Sequence, residues 1–369
     1  MVRILAHNEI DRSEWSRLVQ TSATGTWFQS PEAYGFYESL PELFRPFVIA
    51  VERVNELGNE RVSELKGICV GYITVEQSTI KQFLTCRAIV IGGPVIANDA
   101  TSEEVEALMR AVKNHLSLTH SLIHSFTHSP IYIETRNFND YSRWKSAFAA
   151  AGFEYRPHLN FHVQTNLPWE IIEANIGKHR RKYIRLSFRD GATIEEHPTL
   201  EQVRAYYEIL SELYRTKVKT PLQPWSFFER LYHLESCKYL LVMYEGKVIG
   251  GSIVISYKMS AVEPLNDAAK LPNAACGTVY EWFACGKDGV YKNIYPSSVT
   301  KYAGIKFAAD NGYAIFDMMG AGKPDEAYGV RDFKSEFGGR LVEYGRYLCV
   351  CNTWLYSIGK LGVKLLKGV

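Results

Sequence analysis

Lys178-His179-Arg180-Arg181-Lys182, followed by Arg185 and Arg189, puts six Lys and Arg into one short run. Ile184 and Phe188 are interleaved, so the spacing predicts a helix with one basic face. Such a face can bind phosphates, although a charge run is more often a solvated helix surface. A second group lies near the C-terminal end. Asp317 closes an apolar stretch, Tyr313–Met318, that reads as a buried strand, where α/β folds often place ligand-facing groups. It can orient or deprotonate an incoming amine, or simply cap the following loop. The loop Gly320-Ala321-Gly322-Lys323 is not a phosphate-binding P-loop, because Asp317 and Pro324 stand where Gly and Ser/Thr are required. Lys334 follows Phe333 in GVRDFKSEFGG, residues 329–339. Taken alone, that pair reads as a surface lysine beside a core phenylalanine. No HExxH, GxSxG or Cys/His nucleophile pair is present.

The elements needed to hold these residues can be read from local pattern. Thr101 with Glu104, and Thr199 with Gln202, form capping boxes ahead of apolar residues at helical spacing. Phe47–Val54 and Gly67–Val75 read as a hairpin interrupted by a charged segment, 55–66. Tyr239–Tyr244 and Val248–Tyr257 read as a second hairpin around Glu245-Gly246-Lys247. Further strands are expected at Ala88–Ile91, Ile131–Glu134 and Asn160–Gln164. Ser297–Asn311 reads as a helix stopped by Gly312. In both halves a helix ends at Gly and an aromatic opens the next strand: AAGFEY at 150–155, DNGYAI at 310–315. Mixed hairpins and helices of this kind give an α/β (α+β) sheet fold in each half.

At 369 residues the chain suits two domains. A net charge of +2 excludes the strong positive field of a dedicated nucleic-acid binder, so any basic patch is local. The seven cysteines form no CxxC, and Cys349-Val350-Cys351 alternates like a strand. That usage fits a reducing compartment. The N-terminus lacks the apolar run of a signal peptide, and no window reaches the ~20 apolar residues that span a bilayer. A cytoplasmic protein is expected. Lys360, Lys364 and Lys367 in the last segment share a helical face that could rest on an anionic membrane surface, or the segment packs on its own domain. No metal or cofactor is called for.

The order of helix, Gly-aromatic strand, Gly-rich loop and GVRDFKSEFGG resembles the C-terminal half of the FemABX family. These are tRNA-dependent aminoacyl transferases that extend the peptide of a peptidoglycan precursor. The resemblance covers most of the chain and is strongest at TWFQSPEAY (26–34), Gly92–Pro94, His179–Glu195 and Ser297–Arg340. It implies two GNAT-like (acetyltransferase-like) domains in tandem, 1–165 and 166–369, with an inter-domain cleft and no coiled-coil arm. It puts Lys334 and Phe333 where the aminoacyl ester meets the acceptor amine, and matches Arg181 and Arg185 to an Arg-x-x-Ile-Arg-like pattern. Where the family often carries a phosphate-gripping lysine and arginine, this chain has Tyr37 and Lys219, with Lys217 close by. Lysine offers a point charge rather than a bidentate fork. The implied activity is amide formation on a UDP- or lipid-linked cell-envelope precursor. The donor is aminoacyl-tRNA, or an acyl-thioester as in capsule or exopolysaccharide synthesis. A non-catalytic binding protein on the same fold is the competing reading. The catalytic candidates are Lys334, Phe333 and Asp317; the substrate-binding candidates are Tyr37, Arg181, Arg185, Lys217, Lys219 and Gly322.

Overall fold

The computed structural model describes residues 1–57, 60–76, 78–118, 130–259 and 276–359. The chain starts with β1 (Val2–Ala6), α1 (Arg12–Thr21) and α2 (Pro31–Glu38). The long hairpin β2 (Phe44–Leu57) and β3 (Glu60–Thr74) follows, then α3 (Thr79–Thr85), β4 (Ala88–Gly92) and β5 (Val95–Ile96). Next come α4 (Ser102–Leu118), β6 (Tyr132–Asn137), α5 (Lys145–Ala150) and β7 (Glu154–Arg156). A second set starts with β8 (Leu159–Gln164), α6 (Trp169–Asn175), α7 (Lys178–Arg189), β9 (Thr193–Glu195) and α8 (Leu200–Leu213). It continues with α9 (Trp225–Tyr232), β10 (Cys237–Tyr244), β11 (Lys247–Met259), β12 (Cys276–Gly286) and α10 (Pro296–Asp310). It closes with β13 (Ile315–Gly320), α11 (Gly329–Ser335) and β14 (Arg340–Glu343), after which β15 (Arg346–Val350) ends the sheets.

Two compact units result, and each has its own sheet. The first runs β1-β2-β3-β4-β6-β15-β7, with β5 on β3; the second runs β14-β8-β13-β12-β11-β10-β9. The first unit comprises 1–158 and 343–369, the second 159–342. This division differs from the expected 1–165 and 166–369. β8 hydrogen-bonds to β13 rather than to the first sheet, and β15 returns to lie between β6 and β7. Strand pairing is non-local, so a boundary placed just after the Asn160–Gln164 strand misses both transfers.

Local signals hold where they are short-ranged. Thr101 and Glu104 exchange hydrogen bonds ahead of α4, and Thr199 and Gln202 do so ahead of α8. The charged segment 55–66 is not the expected interruption. β2 and β3 stay paired on both sides of the turn, from Glu52 opposite Leu65 out to Leu57 opposite Glu60. In the first unit, α4 buries Val105, Leu108, Met109 and Val112. In the second, α10 lies against β11 and β12. Gly304 permits the close approach of α10 to β13, since a Cβ there would collide with the Phe316 ring. Helices of the second unit run to at most the 15 residues of α10 among the described residues. No helix among them is long and apolar enough to cross a membrane. Lys360, Lys364 and Lys367, expected to face a membrane surface, lie outside the described residues.

Candidate active site

β13 is apolar because it is covered: Phe316 and Met318 are buried in one cluster with Ile305 and Ala308 of α10. Its end is irregular. Asp317 is fully buried; one carboxylate oxygen accepts the Met319 N–H at 2.6 Å. The other accepts from Asn160 Nδ2 at 3.3 Å and lies 3.4 Å from His162 Nε2. Met319 takes φ 58°, left-handed for a non-glycine, and the register against β8 slips between Asp317 and Gly320. Strain of this kind persists only where the surroundings over-determine it, and it gathers at functional sites. Asp317 supplies part of that constraint by accepting the Met319 N–H.

The bulge turns three carbonyls toward α11. Lys334, only 7% exposed, brings its Nζ to 2.5 Å from the Met318 oxygen, 2.8 Å from Gly320 and 3.4 Å from Met319. Two N–H groups are thus firmly committed, and the third is held weakly enough to turn to another oxygen. Burial depresses the Lys334 pKa first; the Lys301 cation lowers it further, while Glu281 and Asp317 pull the other way, leaving it at about 8. Lys334, which taken alone reads as a surface lysine, is therefore an enclosed ammonium of lowered basicity.

Three residues around this segment escape a reading of the sequence. Lys301 and Glu281, 5% and 4% exposed, form an ion pair between α10 and β12. The Glu281 Oε1 atom has no hydrogen-bond partner among the described residues. A signal exists: Lys301 sits on the stripe of Ile305 and Ala308 at helical spacing, and Glu281 is the one charge in β12. Arg180 belongs to the basic run, yet it reaches across to α11. Its fork meets the two Glu336 oxygens at 3.1 and 3.0 Å, and Nη1 reaches Ser298 Oγ at 3.3 Å. Its guanidinium lies 4.5 Å from the centre of the Phe333 ring, within cation–π range. Phe333 in turn walls a cavity of about 150 Å³ with Ala284, Cys285, Ser297, Thr300 and Lys301. Lys334, Phe333 and Asp317 therefore share one neighbourhood.

The remaining candidates lie elsewhere. Arg181 and Arg185 border a concavity of about 630 Å³ along α7, together with Lys178, His179, Lys182 and Arg189. Arg185 is exposed and 4.0 Å from Glu173; the buried Nε of Arg181 has no partner among the described residues. α7 can present this face because Ile184 and Ser187 are buried on the other, where Ser187 Oγ accepts the Tyr295 N–H. Lys217 is exposed on a π-helical turn, Tyr214–Val218, that extends α8, and Lys219, exposed just after it, takes φ 56°. Tyr37 belongs to the first unit and is 1% exposed against Phe44 and Tyr72, so in this structure it packs rather than presents itself to a ligand. Gly322, at φ 78°, is needed for its backbone: its carbonyl accepts from Leu159, and a Cβ would press on the Tyr328 ring at 3.0 Å. Gly322→Ala should cost about 1–2 kcal/mol in denaturant unfolding; an unchanged midpoint would remove that backbone role. Among the described residues no group of three or more His, Cys, Asp or Glu is placed to hold a metal ion.

The two units are α/β folds of the GNAT-like kind, in tandem. The fold is similar to that in the crystal structure of FemX, which superposes with a TM-score of 0.65 at 12% identity, over 96% of this chain and 99% of that one. The C-terminal DUF2156 domain of a putative lysylphosphatidylglycerol synthetase from Agrobacterium fabrum aligns with a TM-score of 0.51 at 12% identity, over 96% of both chains. No family model and no curated protein matches the sequence. The FemABX resemblance read from the motifs is therefore met at the level of the fold.

Proposed function

We propose that this chain is an acyltransferase that forms an amide on a cell-envelope precursor, taking aminoacyl-tRNA as donor. The observation that carries the reading is the Lys334 ammonium, buried at the bulged end of β13 with one N–H only loosely held. When an amine attacks an ester, a C–N bond forms and the C–O bond to the ribose breaks. Negative charge develops first on the carbonyl oxygen, then on the departing ribose oxygen, which takes the proton the amine gives up. A fixed cation in a dry site stabilises that charge more than it stabilises the ground state. Asp317, with its oxygens engaged by Met319, Asn160 and His162, holds the bulge, and after Glu281 its charge opposes the lowering of the Lys334 pKa. FemX and the lysylphosphatidylglycerol synthetase domain share the fold, and the product that the second is named for is an aminoacylated lipid, which is consistent with envelope chemistry.

The test is direct. Purified chain is incubated with charged tRNA or acyl-CoA and with UDP- or lipid-linked muropeptide, and products are read by mass spectrometry. An acceptor gaining one aminoacyl residue from tRNA is expected. Acceptor binding without transfer from either donor would sink the enzyme reading in favour of a binding protein. The α7 face supplies the grip on donor phosphates. Arg181→Glu with Arg185→Glu should weaken tRNA binding and lower the slope of log affinity against log salt by about 1 for each phosphate no longer neutralised. An unchanged slope would leave α7 as a solvated face.

A further inference from the structure

The first unit carries a second charged arrangement that the transfer reaction does not use. Arg346 on β15 lies opposite Arg136 on β6 and, on its other side, opposite Arg156 on β7. Directly opposed residues of adjacent strands point to the same face, so three guanidiniums stand in a row across three strands. Like charges in that position repel and need an explanation. Glu134 provides part of one: it accepts from Arg136 Nε at 2.8 Å and from Arg346 Nη1 at 3.0 Å. Glu154 accepts from Arg156 Nη2 at 2.7 Å. Arg346 Nη2 reaches His158 Nε2 at 2.5 Å, which makes that nitrogen the acceptor and the ring neutral. Three cations against two carboxylates leave one positive charge over. The Nε of Arg346 is buried and has no partner among the described residues.

We infer that this row is an anion subsite that takes a phosphate or diphosphate group of a ligand. Glu134 already acts as an internal carboxylate, engaging one N–H of each flanking arginine. What stays unfilled is the donor capacity of Arg346 and of exposed Arg156, whose planar forks suit phosphate oxygens. A group with several terminal oxygens can bridge neighbouring guanidiniums, whereas a single carboxylate would only repeat what Glu134 does. The proposal rests on the first unit alone and not on the transfer reaction, so failure of one leaves the other standing.

Titration calorimetry of the full chain with inorganic pyrophosphate, at low and raised salt, tests it. Saturable one-to-one binding that weakens with salt is expected. Arg346→Met and Arg156→Met should each lose at least about tenfold in affinity, the usual scale for a charge-assisted hydrogen bond. Arg156 is exposed, so its variant reports even if Arg346→Met fails to fold. Arg110→Met, which removes a charge on α4 paired only with Glu106 among the described residues, should bind as the parent does. Glu134→Gln separates the readings by sign. A subsite freed of its internal competitor binds pyrophosphate more tightly, whereas a purely structural ion pair only loses stability. Vesicles of phosphatidylcholine with and without phosphatidic acid tell a lipid headgroup from a soluble phosphate: recruitment by phosphatidic acid assigns the former, its absence the latter. Unsaturable binding, equal binding by Arg156→Met and Arg110→Met, or weaker binding by Glu134→Gln would overturn the subsite.

Discussion

Replacing Lys334 by Met is expected to lower the transfer rate constant about a hundred- to a thousandfold, the cost of about 2.7–4 kcal/mol seen when one such electrostatic donor is removed. Ground-state affinity should change little, because the charge it meets develops only in the transition state. The structure adds a second consequence. The same ammonium satisfies carbonyls of Met318 and Gly320, and stripping a buried acceptor of its donor costs about 1–3 kcal/mol. Lys334→Met should therefore unfold at lower denaturant as well as turn over slowly. Lys334→Gln separates the two effects: it keeps N–H donors for the carbonyls and carries no charge. Recovered stability without recovered rate is the expected pattern. Recovery of both would make Lys334 a staple of the β13 bulge and nothing more.

Its lowered pKa gives a pH signature with a definite sign. The ammonium is the active form, so the rate should fall as pH rises through about 8, and the variant should lack that falling limb. Were Lys334 a base, the limb would rise instead. Stability runs the other way. The folded protein releases this proton near pH 8, the unfolded chain near 10.5, so between those values the unfolded state binds more protons. Parent stability should rise from pH 8 toward 10.5 by up to about 3 kcal/mol from this group, and Lys334→Met should lose that rise. A flat difference between parent and variant across the window would contradict the burial of the charge.

How much of this is legible in the sequence depends on range. Thr101/Glu104 and Thr199/Gln202 can be read because a capping box spans four residues. The β13 strand and α10 fall within two residues of their expected bounds, since apolar spacing and a Gly stop are local. The left-handed Met319 cannot be read: nothing in FDMMGAG marks a bulge, which exists because β8 arrives from the far side of the sequence to pair with β13. Nor can the role of Arg180, because its partner Glu336 lies 156 residues away. The motif singles out Lys334 but gives no sign of its burial, which comes from carbonyls of another element. Tyr37 stands out only by its position in a resemblance, and the aromatic cage of Phe44 and Tyr72 that encloses it is tertiary.

Lys301→Met carries the largest expected effect on stability. Its ammonium meets Glu281 where both side chains are almost wholly removed from water. Removing one partner of such a pair leaves an uncompensated charge and costs about 3–5 kcal/mol, while removing both is often close to neutral. Glu281 is an exacting partner to abandon, since Oε1 already lacks a hydrogen bond among the described residues and Lys301 holds Oε2. The double variant Lys301→Met, Glu281→Leu should therefore recover most of what the single change loses, giving a coupling well above the ~0.3–0.5 kcal/mol scatter expected of independent sites. Strictly additive losses would mean that the pair does not interact. The same single change should be felt at Lys334. Lys301 is the larger of its charged influences and lowers its pKa, whereas Glu281 raises it. With Lys301 gone and Glu281 still present, both effects favour the protonated Lys334, so the falling limb of the rate profile should move to higher pH. A limb that stays in place would show that Lys334 does not set it, and the Lys301–Glu281 pair would then be packing alone.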